Sequence, residues 1–174
     1  MAKIIIFNVI RFIVLLLLQV AVLKNMGYYN LAVAFPYILI LLLLPIGTPN
    51  IMLYVLALLT GLSIDAFYDS IGVHAAACVA LAFFRTFFHK ITIELDEQGS
   101  FNTPSWGTMG FKWYSTYILF SILIHHSVLF LIEAFSFQNF LVTLQSIALS
   151  SLFTLIVIFV ISLLTYQKKS RVIS

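Results

Sequence analysis

The chain has 174 residues, of which 63% are hydrophobic and only 9% charged, and its net charge is +3. A water-soluble domain carries about 25% charged residues, so this chain, with a mean hydropathy of +1.13, lacks the surface chemistry to be one. Apolar runs of about 20 residues match the helix length that crosses a bilayer, and they predict an all-α, polytopic membrane protein without a soluble domain of any size.

The first span is predicted at residues 4–23. It is longer than the apolar core of a signal peptide, and no small-residue cleavage site follows, so it is read as retained. Its Asn8, Arg11 and Gln19 fall broadly on one helical face. A charge at the centre of a lipid-facing helix costs about 2.5–3.5 kcal/mol, so this face is expected to meet other helices or another protein. The alternative is that Arg11 only snorkels to the interface. The second span is predicted at 28–46, closed by the helix-breaking "PIGTPN". The third (51–68) and fourth (71–88) are joined by the short turn "DSIG". A polar loop at 89–110 leads to the fifth span (113–135), with Trp106, Phe111, Trp113 and Tyr114 as interfacial anchors at its entry. The sixth span (140–166) precedes the basic tail "QKKSRVIS".

Lysine and arginine placement sets the expected orientation. With both termini inside, Lys3, Arg11, Arg85, Lys90, Lys112, Lys168, Lys169 and Arg171 lie at inner ends, and of the nine basic residues only Lys24 falls outside. Six spans with N-in, C-in topology follow. The 89–110 loop is then cytoplasmic and the turn after Asp65 external.

The stretch "GLSIDAFYDSIGVHAAA" concentrates polar residues in oily surroundings. Ala57, Gly61, Asp65 and Asp69 recur every four residues, and Gly72, Ala76 and Ala80 answer from the next span at the same spacing. Small residues so placed let two backbones approach, which predicts a tight hairpin of spans three and four. Asp69 is expected to cap the start of span four, where a carboxylate accepts free N–H groups. Ionisable residues inside a membrane are functional candidates, and Asp65, Asp69 and His74, supplemented by His125 or His126, are the residues a metal or proton site would use. Adjacent histidines point about 100° apart on a helix, and they sit near mid-span while Asp65 lies toward the outer end, so no metal site is expected. On span five Ser115, His126 and Glu133 share a face, and Thr143, Ser146, Ser150 and Thr154 form a small polar stripe on span six. Cys78 is the single cysteine, which excludes an internal disulfide. No phosphate loop, dinucleotide fingerprint, zinc-protease motif or nucleophile elbow occurs, so neither an enzyme nor a cofactor nor a nucleic-acid partner is expected. The residues singled out as a partner-binding surface or structural seam are Gly61, Asp65, Asp69, Gly72, His74, Arg85, His126 and Glu133.

Two stretches, "GLSIDAFYDSIGVHAAACVALAFFR" and "ILIHHSVLFLIEAFSF", resemble the rod shape-determining protein MreD family. The resemblance implies a multi-pass protein of the bacterial inner membrane that belongs to the elongation machinery. Such a protein is a non-catalytic scaffold for peptidoglycan synthesis and rod cell shape, surrounded by membrane lipid. It binds the bitopic protein MreC and, through it, MreB, RodA and the elongation transpeptidase. No catalytic residue is carried over. The implied fold is similar to the substrate-binding subunits of energy-coupling-factor vitamin transporters, which supplies an alternative function as a solute-binding subunit. That function needs an outward-open pocket with convergent polar groups, and the short outer connections count against it.

Overall fold

The computed structural model describes residues 2–26, 32–94, 102–135 and 139–166. The start of the expected second span (28–31), the middle of the expected cytoplasmic loop (95–101) and the tail with Lys168, Lys169 and Arg171 lie outside the described residues. In chain order the helices are α1 (Ala2–Leu17), α2 (Leu39–Leu42), α3 (Asn50–Tyr68), α4 (Val73–Thr92), α5 (Trp106–Met109), α6 (Phe111–Ala134) and α7 (Phe140–Leu164). Helix α1 continues through a widened π-helical turn (Leu18–Val22) and a 3-10 turn (Leu23–Asn25). Five of these segments are long and apolar enough to cross a membrane: α1 with its extension, α3, α4, α6 and α7.

The expected second span is not a continuous helix over its described part. Residues 32–35 are not helical, Pro36–Ile38 form one 3-10 turn, and α2 adds only four residues. The cause is local. Pro36 has no N–H to continue a helix, and its ring keeps the preceding residue out of the helical region; Phe35 accordingly sits at φ −122°, ψ 60°. Pro45 stops the chain again at the other end.

This broken segment is the centre of the protein. Every residue from Ala34 to Leu42 is buried, and Tyr37, Ile38, Leu41 and Leu42 are fully so. Around it α3 packs on α4, α4 on α6 and α6 on α7, while α1 leans mainly on the broken segment itself. Large apolar side chains such as Ile13, Leu59, Phe83, Leu152 and Ile156 point outward, as the lipid-facing surface of a bundle requires.

Contacts between chain ends give the sense of each crossing. Lys24, past the end of α1, donates to the carbonyl of Phe67 near the end of α3. Arg11, eight residues before Gln19 on the α1 segment, reaches Leu43 beyond α2. The Ile46 N–H bonds the Asn102 carbonyl at 3.0 Å, and Trp106 stacks against Tyr166 just past α7. The broken segment therefore runs antiparallel to α1. The start of α1, the 45–50 turn, residues 102–110 and the end of α7 all gather at one end of the bundle. Arg11, Arg85, Lys90 and Lys112 lie toward that basic end, and Lys24 lies at the opposite end, beside the α3–α4 turn.

Candidate functional site

Backbone groups outside a helix have no partner of their own at membrane depth, so irregular backbone survives there only when protein satisfies it. The polar residues of the long helices do this for the broken segment. At its first half, the Val33 N–H donates to Ser150 Oγ at 3.1 Å and the Phe35 N–H to Thr154 Oγ1 at 3.0 Å. Gln19 Nε2 donates to the Ala34 carbonyl at 3.1 Å and to Tyr68 Oη at 2.7 Å. Gln19 lies in the π turn of α1, and a π bulge re-aims side chains relative to a regular helix.

The other half ends on carbonyls that lack N–H partners within a helix, the usual fate of a helix C-terminus, where cations are favoured. Tyr117 Oη donates to Leu42 at 3.2 Å, Arg11 Nη1 to Leu43 at 2.7 Å, and Arg85 Nη2 to Leu44 at 2.8 Å and Pro45 at 3.0 Å. Asn8 accepts a further bond from Arg11 at 3.1 Å. Arg85 is only 2% exposed. It is thus a buried clamp on the broken segment as well as a basic residue at one end of the bundle. The polar stripe of α1 faces protein, as do Ser150 and Thr154 of α7.

Where the chain breaks, two histidines meet a tyrosine and a third stands beside them. Tyr37 Oη lies 3.0 Å from His74 Nδ1 and 2.8 Å from His125 Nε2, with Cys78 Sγ at 3.9 Å. One hydroxyl proton serves one of the two rings, so Tyr37 donates to one histidine and accepts from the other. His125 Nδ1 is buried with no partner among the described residues. A lone pair there costs less than an unpaired N–H, which favours His125 Nε2–H donating to Tyr37 and Tyr37 donating to His74. His126 does a different job. Its Nδ1 faces the Ile122 carbonyl at 2.9 Å and must carry the proton, so its Nε2 accepts from Thr154 at 3.0 Å. Thr154 in turn accepts the Phe35 N–H, which completes a directed chain from backbone to backbone.

The α3–α4 seam is tighter than the spacing alone implies. A Cβ added to Gly61 would stand 2.3 Å from Ala75 Cα and 2.6 Å from Ala75 N, so the two backbones touch. One turn further, the buried Asp65 carboxylate accepts from the N–H of His74 at 2.9 Å and of Ala75 at 3.0 Å, and from Ser70 Oγ at 2.7 Å. Asp65, not Asp69 as expected, caps α4. Asp69 is exposed and stands at φ 55°, where it ends α3, and Gly72 follows at φ 79°. The carboxylate one turn inside α3 can reach α4's first N–H groups because Gly61 lets the helices meet; Asp69 is already part of the reversal. In detergent-purified protein, Asp65→Ala is expected to cost about 2–4 kcal/mol, because three bonds to the carboxylate are lost and two N–H groups orphaned. Asp69→Ala should stay within about 0.5 kcal/mol. Equal thermal stabilities for the two variants would contradict this cap.

The expected site residues therefore divide. Gly61, Asp65 and His74 come together at the seam, and His74 also joins Tyr37 and His125. Arg85 and His126 hold opposite halves of the broken segment. Glu133 is exposed near the end of α6, while Ser115 is half-buried and His126 is wholly buried, so their shared phase gives no shared site. Ala76 and Ala80 are half-buried beside α3 rather than in the Gly61 contact. Among the described residues no group of three or more His, Cys, Asp or Glu could hold a metal ion. No protein-family model matches the chain, and neither the characterised proteins nor the solved structures compared with it show a significant match.

Tyr37 and Phe35 were not among the expected residues. The signal for them is Pro36, a helix breaker inside an otherwise apolar run. Chemically, the assembled site is a buried hydrogen-bonded frame in which Gln19 Oε1 and His125 Nδ1 have no partner among the described residues. Gln19, Tyr37, His125, His126 and Thr154 are each fully buried, and their other polar atoms face one another or the chain.

Proposed function

We propose that this protein is a non-catalytic membrane scaffold of the MreD type. It lies in the bacterial inner membrane with the basic end inside, binds MreC, and through it links MreB to RodA and the elongation transpeptidase in peptidoglycan synthesis. The observation that carries this reading is the use of the buried polar groups. Side chains from α1, α4, α6 and α7 are engaged in holding the broken segment, which makes a stiff bundle whose outward surface is apolar. Such a body suits lateral binding of another transmembrane helix. The clustering of Arg11, Arg85, Lys90 and Lys112 at the end where α1 begins and α7 finishes supports the orientation. In the source bacterium, depletion is expected to turn rods into rounded, swollen cells, and the tagged protein should retain MreC after detergent solubilisation. Unchanged shape together with no retained MreC would sink the reading.

One observation favours the solute-binding alternative. A span broken near the bundle's middle and met by polar side chains is the way transporters build midplane sites. Saturable thermal stabilisation of the purified protein by a single vitamin would support that function over the scaffold.

A further inference from the structure

A groove of about 960 Å³ runs down the face formed by α3, α4 and one residue of α6. Its floor is small: Gly72, Ala76 and Ala80 along α4. Leu58 and Leu62 of α3 form one wall, and Phe83 and Phe87 close the basic end. From this shape, and resting on the scaffold reading, we infer that the groove is the docking surface for one transmembrane helix of the partner, bulky toward the hairpin end, small-sided toward the basic end, and carrying a Lys or Arg at the hairpin end that meets Asp69.

Three observations identify a helix. The first is length. Gly72 to Phe87 covers fifteen helical steps, or about 22 Å at 1.5 Å per residue. A lipid chain is confined to one leaflet, about 15 Å of a core about 30 Å thick, so it leaves part of the groove unfilled. A crossing helix fills all of it. The second is the floor. Small residues four apart let a helix backbone approach closely, a feature lipid chains do not need. The gradient from small floor to phenylalanine rings prescribes the complementary gradient in the occupant. The third is charge. Asp69 closes α3 in the left-handed conformation, three residues before Gly72 at the hairpin end of the groove. Asp69 is exposed, and its carboxylate makes no hydrogen bond to a described residue. A basic residue just beyond the partner's span would complete it.

The probe is full-length MreC from the same bacterium, co-expressed in membranes. In a Cys78→Ala background, Leu62→Cys and Phe83→Cys are each combined with single cysteines scanned along the MreC transmembrane helix. Both are expected to give disulfides repeating every three to four residues, with the Leu62→Cys partners nearer the external end of that helix. Ala76→Trp fills the floor and should lower retained MreC at least tenfold. The fully folded charge reversal Asp69→Lys should lower it several-fold, and Leu152→Trp on the lipid face of α7 should leave it unchanged. If MreC is retained by Ala76→Trp and cross-links to Leu152→Cys instead, the groove is the wrong surface while the scaffold reading stands. Disulfides between two copies of the Leu62→Cys protein would make a second copy the occupant and overturn the inference. If the unsubstituted protein retains no MreC, the scaffold reading itself falls and takes this occupant with it.

Discussion

Gly61→Val is expected to destabilise the bundle by about 3 kcal/mol, because the α3 and α4 backbones must separate to admit the side chain. The atoms a Cβ would meet at 2.3–2.7 Å all belong to the backbone of His74 and Ala75, which cannot swing aside as a side-chain tip could. Separation also pulls the Asp65 carboxylate from the N–H groups of His74 and Ala75, so one substitution disables both the contact and the cap. Gly72→Ala is the informative control. Nothing lies within 4 Å of a Cβ there, but φ is +79°, so its cost is the left-handed strain alone, about 1–2 kcal/mol. Unfolding of the purified protein, followed by tryptophan fluorescence, should rank unsubstituted protein above Gly72→Ala and that above Gly61→Val. A Gly61→Val protein as stable as the unsubstituted one would mean that the helices do not touch at this point.

Arg85→Leu should cost about 1–3 kcal/mol, the second large effect. Leucine matches the apolar surroundings but leaves the Leu44 carbonyl buried and unpaired, at about 1–3 kcal/mol, while the Pro45 carbonyl keeps its bonds from the Thr48 N–H and Oγ1. Hydrogen bonds between membrane helices average only about 0.6 kcal/mol, because the separated helices find other partners. The Leu44 carbonyl is different, since it belongs to a chain that a proline has already denied helical partners. Arg85→Lys should recover part of the loss: the ammonium keeps the charge but not the rigidly placed Nη2 that meets both carbonyls. The exposed Lys90→Leu should be neutral within about 0.5 kcal/mol. The same fluorescence unfolding series checks all three, and indistinguishable Arg85→Leu and Lys90→Leu proteins would contradict a clamping role. Greater protease sensitivity at the 45–49 turn is expected in Arg85→Leu.

Some of this was legible in the residues alone. Composition determines an all-helical membrane protein, since a chain with 9% charged residues has no means of covering itself in water. Four-residue spacing of Gly61 and Asp65 on one helix placed both on the same seam, because phase along a helix is a local property. The polar stripes of α1 and α7 were rightly aimed at protein for the same reason.

Which partner each stripe meets was not legible. Arg11 and Leu43, Gln19 and Ala34, Phe35 and Thr154 lie 32, 15 and 119 residues apart, and helical phase carries no information across such distances. Hydropathy also misread residues 28–46 as an ordinary span. It weighs the transfer of side chains into lipid and is blind to backbone hydrogen bonding, which Pro36 interrupts. The aspartates show the same division. Sequence brought Asp65 and Asp69 to the α3–α4 turn, but only the backbone contact at Gly61 decided that Asp65 reaches the start of α4 while Asp69 stays in solvent.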